Sequence, residues 1–107
     1  MATKEISRLH REAIDAAVQG ELVLYVLPKM NECTEEFRQV AREVQGNPCV
    51  ERVHLTNGNQ RIVFTSGGCI YFTATSRHGG RGFSPDLLIL CAPIGHAMIP
   101  AKRVLHG

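Results

Sequence analysis

The sequence lacks an apolar run long enough to cross a bilayer. Its longest apolar runs, residues 22–28 and 87–94, are much shorter than the roughly 20 residues that a membrane-spanning helix needs. Residues 1–12 are charged and contain no apolar signal core, so we expect a protein that is not secreted and has no membrane partner. The expected location is the cytoplasm.

Cysteine pairs with metal-binding spacing are also missing. The four cysteines, at positions 33, 49, 69 and 91, form no C-x-x-C pair, and the five histidines are scattered along the chain. This spacing is typical of reduced, mostly buried thiols in a cytosolic protein. Scattered histidines are usually exposed or bonded to a carbonyl group, so we assign no metal site and no cofactor.

An excess of charge of one sign is absent as well. The formal net charge is +2, which is well below the basic charge expected of a dedicated nucleic-acid-binding protein. Charge therefore neither requires nor excludes a nucleic-acid partner. With 107 residues, 44% of them hydrophobic, the chain is expected to form one domain over residues 1–107.

The first half of the sequence predicts a helix, a strand and a second helix. Apolar residues recur at three- and four-residue spacing over residues 4–19, and Gly20 follows as a helix terminator. Residues 21–27 are apolar without alternation, which is typical of a strand buried on both faces. Residues 31–45 predict a second amphipathic helix, with Asn31 or Thr34 as its cap.

The second half predicts strands. Residues 50–55, 60–65 and 69–75 are rich in β-branched residues, and turn sequences separate them. Residues 86–91 predict another fully buried strand, and residues 92–107 are expected to be irregular or to form one short strand. The fold class is therefore α/β: a mixed sheet with a β-hairpin insertion, flanked by two helices, in which the two apolar strands are parallel and adjacent.

Three stretches also match a known order of motifs. Residues 13–28 contain a helix followed by the strand ending Val-Leu-Tyr-Val-Leu-Pro28, residues 31–45 supply the next helix, and residues 61–90 end in Arg81-Gly-Phe-Ser-Pro-Asp-Leu-Leu-Ile-Leu90. Together they resemble the large-terminase ATPases of tailed phages, a branch of the RecA-like P-loop enzymes. The resemblance spans residues 10–92. It implies a RecA-like partial core, a role in phage biology and, if the chain is phage-encoded, a place in the host cytoplasm.

The catalytic motifs of that family are missing from this sequence. A P-loop requires a Gly-Lys-Ser/Thr motif to hold phosphates and Mg²⁺, and no such motif is present. The strand that resembles Walker B should end in two acidic residues, but Leu90 is followed by Cys91 and Ala92. We therefore expect a degenerate domain with no catalytic residues that is not an enzyme.

A glycine-rich loop is the best candidate for a binding site. Its guanidinium groups and exposed amides could hold a phosphate of nucleic acid or nucleotide, and the alternative is a solvated loop with one arginine paired to a carboxylate. Asp86 precedes the buried strand and could pair with Arg81 or cap the loop, but a purely structural role is the commoner one for such a residue. The loop residues are Arg77, His78, Gly79, Gly80, Arg81 and Gly82.

A secondary basic surface is a further candidate for contacts with DNA or an acidic partner. A plain solvated face is the commoner explanation of such residues. The residues concerned are Lys4, Arg8, Arg11, Lys102 and Arg103.

The strand that precedes a P-loop is also missing from this sequence. The strand at residues 87–91 would therefore be left with an unpaired edge. Either the tail, residues 97–105, or a second copy of the chain could cover that edge.

The favoured function is a non-catalytic phage-type accessory protein that self-associates, forming a homo-oligomer, or binds a phage or host protein. One alternative is a small nucleic-acid-binding module that uses loop 77–82. A second alternative is a residual nucleotide-binding ATPase that is completed in trans by a partner.

Overall fold

A computed structural model describes residues 2–56, 59–74, 84–91 and 101–107, with the backbone alone at residues 2–7, 56 and 59. These residues form two helices and six strands. The helices are α1 (Ala2–Val18) and α2 (Met30–Glu43), and the strands are β1 (Leu22–Leu27), β2 (Val50–Thr56), β3 (Asn59–Phe64), β4 (Cys69–Ala74), β5 (Leu87–Leu90) and β6 (Arg103–His106).

All six strands belong to one mixed sheet with the order β2-β3-β4-β1-β5-β6. β1 pairs in parallel with both β4 and β5, so the prediction that the two apolar strands are parallel and adjacent is confirmed. β2, β3 and β4 pair antiparallel as a meander, which extends one edge of the sheet as predicted. The α/β class with a mixed sheet and two flanking helices is likewise confirmed.

The tail of the chain covers the edge of β5. β6 pairs with β5 in parallel, with Leu88 opposite Val104 and Ile89 opposite Leu105. The sequence left the tail and a second copy of the chain as alternative partners for this edge. The tail is the partner observed, because β6 of the same chain pairs with β5. A second copy is therefore not needed there.

Both helices pack on one face of the sheet. α1 contributes small residues to the core, including Ala13 and Ala17, while α2 contributes Phe37. The Phe37 ring meets the Phe72 ring edge-on with centroids 5.6 Å apart, and Phe72 stacks on Tyr25 at 5.2 Å. Small side chains on α1 let that helix approach the sheet closely, and the aromatic rings of the sheet fill the space below α2.

The start of α2 differs from the prediction. Lys29, in extended conformation, is the residue before the helix, and its side chain makes no capping hydrogen bond. The Thr34 hydroxyl donates to the Met30 carbonyl at 3.2 Å, so the expectation that Asn31 or Thr34 caps the helix is wrong. The helix begins earlier because the extended backbone after Pro28 turns directly into it.

The opposite face of the sheet is apolar at its centre. Leu24, Val26, Leu88 and Leu90 are buried there, and Tyr71 packs against them. Alternation along β1 and β5 therefore sends apolar side chains to both faces. Within the described residues, no helix is long and apolar enough to cross a membrane.

Candidate functional site

The leading sequence candidate, the loop with Arg77, His78, Gly79, Gly80, Arg81 and Gly82, lies outside the described residues. The strands on either side of it are described. β4 ends at Ala74 and β5 begins at Leu87, and these two strands flank β1 on opposite sides. Phosphate binding by this loop therefore stays a prediction.

The residues of the secondary basic surface lie in two separate regions, on α1 and at the start of β6. Arg8 and Arg11 are exposed on α1, and the side chain of Lys4 lies outside the described part of the chain. Lys102 Nζ lies 3.1 Å from an oxygen of Asp86, and Arg103 Nη2 lies 2.5 Å from Glu21 Oε1. The charges of these two tail residues are thus balanced by neighbouring carboxylates.

Asp86 joins three strands. Its Oδ2 accepts a hydrogen bond from the Leu22 backbone amide at 2.8 Å, and its other oxygen pairs with Lys102. The amide bond from Leu22, followed by the contact with Lys102, lowers the pKa of the Asp86 carboxyl group. The carboxylate therefore ties β1, β5 and the start of β6 together, which agrees with a structural role. Its suggested partner Arg81 lies outside the described residues.

A group of cationic and aromatic side chains lies on the sheet face opposite the helices. The register places His54 of β2 opposite Arg61 of β3, and Arg61 opposite Tyr71 of β4. Arg52 precedes His54 by two residues and so shares its face. The Arg61 guanidinium carbon lies 5.6 Å from the centre of the Tyr71 ring. We call this set, Arg52, His54, Arg61 and Tyr71, the meander face.

Positive charges are concentrated on the meander face. Loss of hydration, and after it repulsion from Arg61 and Arg52, lowers the pKa of His54. The side chain of Arg52 is exposed, and those of His54, Arg61 and Tyr71 are partly exposed. The only acidic residue within the three meander strands is Glu51, which sits at the irregularity in the pairing between Val50 and Arg52.

A second group of ionisable residues lies between the two helices and the sheet, with His10 and Tyr25 buried, Glu36 partly buried and Glu43 exposed. His10 of α1, only 1% exposed, lies with Nε2 2.9 Å from Glu36 Oε2 and Nδ1 2.7 Å from Glu43 Oε2. The Tyr25 hydroxyl donates to the same oxygen of Glu36 at 2.7 Å. We call this set, His10, Tyr25, Glu36 and Glu43, the histidine cluster.

The histidine cluster stabilises a charged imidazole. Burial lowers the pKa of His10, but the hydrogen bonds and charges of Glu36 and Glu43 outweigh it, so the net pKa is raised. Burial raises the pKa of Glu36, and the bonds from His10 and Tyr25 outweigh that effect and lower it. Both ring nitrogens of His10 already have partners, so the ring has no free nitrogen to act as a general base.

The sequence prediction missed the histidine cluster. We expected scattered histidines to be exposed or bonded to a carbonyl, and for His10 this is wrong. A signal was available, because His10 lies three residues before Ala13 and seven before Ala17, and therefore on the buried face of α1. Its carboxylate partners belong to another helix, and no pattern within α1 indicates them.

Three of the four thiols, those of Cys33, Cys69 and Cys91, are suited to packing rather than to reaction. Burial raises the pKa of Cys33 and of Cys69 to about 11 in each case. Burial also raises the pKa of Cys91, despite its contact with the Tyr25 hydroxyl. A neutral thiol is a poor nucleophile and a poor metal ligand. Within the described part of the chain, no group of three or more His, Cys, Asp or Glu residues is arranged to hold a metal ion.

Comparison of the chain with protein-family models, with curated protein sequences and with solved structures found no match.

Proposed function

We propose that the chain is a non-catalytic accessory protein of the phage type, which acts by pairing with another protein chain, in the first place with a second copy of itself. We assign it a RecA-like partial core. Support for this core comes from the parallel pair β1 and β5, and from the meander that extends the sheet beyond β4.

The end of β5 supports a function without catalysis. A P-loop ATPase needs carboxylates at the end of the corresponding strand to hold Mg²⁺ and to activate water. In the sequence, Cys91 and Ala92 follow Leu90 at this place, and burial raises the pKa of the Cys91 thiol, which keeps it protonated at neutral pH. Neither side chain can perform either task.

The observation that carries the proposal is the apolar surface of β2. Val53 is 44% exposed and Leu55 is 63% exposed. Val53 lies opposite the buried Ile62, and Leu55 lies opposite the buried Gln60, so both point to the helix side of the sheet. An apolar pair of this kind on an outer strand is an unusual feature to leave in water, and it favours contact with another chain.

β2 is better suited to strand pairing than the other outer strand. β2 runs for 7 residues, whereas β6 runs for 4. Short strands and charged residues protect an edge from pairing, and β6 combines its short length with the ion-paired Arg103. The irregularity near Arg52 disturbs only the start of β2, which leaves residues 53–56 available as a regular edge.

Light scattering over a range of protein concentrations tests this function. The chain should show a concentration-dependent dimer, and Val53→Asp should shift it to the monomer. Val104→Asp is the matched control, because Val104 is also 44% exposed but lies on the opposite edge. A monomer at every concentration, or a dimer lost only in Val104→Asp, would contradict self-association through β2.

A further inference from the structure

The direction of the backbone groups at the open edge of β2 follows from the hydrogen bonds of β3. Directly after β3, the Thr65 amide donates to the Cys49 carbonyl group at 2.8 Å, on the β2 side of the sheet. The Phe64 amide, one residue earlier, donates at 2.9 Å to the turn that precedes β4. Because these directions alternate along a strand, Val63 and Arg61 form their hydrogen bonds toward β2.

The pairing register extends this alternation to β2. The residues of β2 that pair with those two are Arg52 and His54, so both direct their amide and carbonyl groups toward β3. Val53 and Leu55 alternate with them and direct their backbone groups to the open edge. Their apolar side chains are also exposed, by 44% and 63%. The same two residues therefore offer both hydrogen bonds and apolar surface to an added strand.

A second copy of the chain can satisfy this edge in one register. A two-fold axis perpendicular to the sheet makes the added β2 antiparallel, and backbone bonds then form only between residues that face the edge. An axis at Val53 would place Leu55 against the irregularity at Glu51. An axis at Leu55 would place Val53 against residue 57, beyond the end of β2. An axis at His54 places Val53 opposite Leu55 of the second copy, which joins their apolar side chains.

We propose that two copies pair along β2 about a two-fold axis at His54, so that the two His54 imidazoles face each other and their protonation separates the copies. This inference rests on the proposed self-association through β2, and it adds the register of the pairing and its regulation by pH. Each His54 belongs to a pair without backbone hydrogen bonds, in which the Cα atoms lie about 4.5 Å apart and the side chains are closest.

The groups that face His54 make its charged form unfavourable in this pair. Loss of hydration, followed by repulsion from Arg61 and Arg52, already lowers the pKa of His54 in one copy. Tyr71 follows Arg61 in the same row, and Arg52 stands between Glu51 and His54 in the chain. The second copy brings another imidazole and the same two arginines, so two protonated rings would repel each other at short distance. Neutral rings can share a hydrogen bond instead.

Sedimentation velocity at about pH 7.5 and about pH 5 tests the regulation. The dissociation constant of the dimer should increase by about tenfold or more for each pH unit below the pKa of His54, because dissociation takes up at least one proton. His54→Gln should dimerise with little dependence on pH, since glutamine does not titrate. His106→Gln is the matched control, because His106 is exposed on β6 at the opposite edge, and it should keep the wild-type dependence. Circular dichroism at each pH verifies that the chain is folded.

Disulfide trapping tests the register. His54→Cys should form a disulfide-linked dimer when oxidised glutathione is added, because Cβ atoms in such a pair lie about 4.5–5.5 Å apart, close to disulfide distance. Arg52→Cys is the matched control, since residue 52 lies opposite Thr56 of the second copy and far from its own equivalent. The wild-type chain measures the background from the native cysteines. Equal cross-linking in the two variants would overturn the register.

The outcomes separate this inference from the proposed function. A dimer whose dissociation constant is the same at both pH values would overturn the regulation by His54 and leave self-association in place. The same conclusion would follow if His54→Gln kept the wild-type pH dependence. A monomer at every pH would overturn both the inference and the proposed self-association.

Discussion

His10 on α1 lies 2.9 Å from the carboxylate of Glu36 on α2, in a place where the imidazole is 1% exposed. This contact joins two helices that are separated by a whole strand in the sequence. A buried charged pair is favourable only when both partners are present and hydrogen-bonded. Glu43 and the Tyr25 hydroxyl provide the additional bonds.

Replacing His10 should destabilise the protein strongly. His10→Ala leaves Glu36 partly buried without its cationic partner, so we expect a loss of about 3–5 kcal/mol in the free energy of unfolding. Urea denaturation at about pH 6 measures this loss. His106→Ala, on exposed β6, is the control and should change stability by less than about 0.5 kcal/mol. Equal effects of the two variants would contradict a stabilising cluster.

The same cluster sets a pH dependence of stability. Folding raises the pKa of His10, so its contribution is complete below about 6.5 and is lost as the pH rises through the folded-state value. Folding lowers the pKa of Glu36, so its contribution is complete above about 4.5 and is lost as the pH falls through the folded-state value. The difference in unfolding free energy between wild type and His10→Ala should therefore be largest between these values and smaller at about pH 8.5. A difference that grows toward alkaline pH would contradict this.

Gly68 and Gly67 should respond differently to alanine. A Cβ at Gly68 would overlap the carbonyl group of Ala17, whereas a Cβ at Gly67 meets nothing within 4 Å. Gly67 has φ of +93°, so Gly67→Ala should cost about 1 kcal/mol through backbone strain alone. Gly68→Ala should cost about 2–3 kcal/mol, because the backbone of α1 must move away from the sheet. Urea denaturation compares the two, and an equal cost would show that α1 does not pack this closely.

Asp86→Asn should show how much the carboxylate bond to the Leu22 amide contributes. We expect a loss of about 1–2 kcal/mol at neutral pH, since a bond to a charged acceptor is weakened and the pair with Lys102 is lost. Lys102 is 82% exposed, so Lys102→Ala should cost less than about 1 kcal/mol. Because folding lowers the Asp86 pKa from its usual 3.8, the effect should be present above that value and disappear at more acidic pH. Urea denaturation of both variants at neutral pH and at a pH below 3.8 measures these losses. A larger loss in Lys102→Ala than in Asp86→Asn would assign the effect to the ion pair.

Cys33 and Cys69 should be unreactive toward thiol reagents in the folded protein. Both are buried, and each has a pKa raised to about 11, so the reactive thiolate is scarce at neutral pH. Mass spectrometry after labelling should find them modified only as fast as the chain unfolds. Rapid modification of Cys33 without urea would contradict the packing of α2 on the sheet. Rapid modification of Cys69 without urea would contradict the burial of β4.

Local patterns were sufficient for the two helices and for β1 to β5, whereas for the tail that contains β6 they left an irregular segment and a short strand as alternatives. The three- and four-residue spacing of apolar side chains predicts α1 and α2, since it places these side chains on one face of a helix. The unbroken apolar runs predict β1 and β5, since only strands covered on both faces tolerate them. Gly20, with φ of +91°, ends α1 as its sequence position indicates.

The tertiary structure alone decided which elements meet. The sequence left open whether the tail or a second copy pairs with β5, because both offer the same backbone hydrogen bonds. It gave no partner for His10, because Glu36 and Glu43 come near only when α2 packs beside α1. It also did not indicate which face of the sheet Val53 occupies and which face His54 occupies. The two faces are assigned only by the pairing of Val53 with Ile62 and of His54 with Arg61. Side-chain periodicity acts over a few residues, whereas partners and faces depend on how distant segments pair.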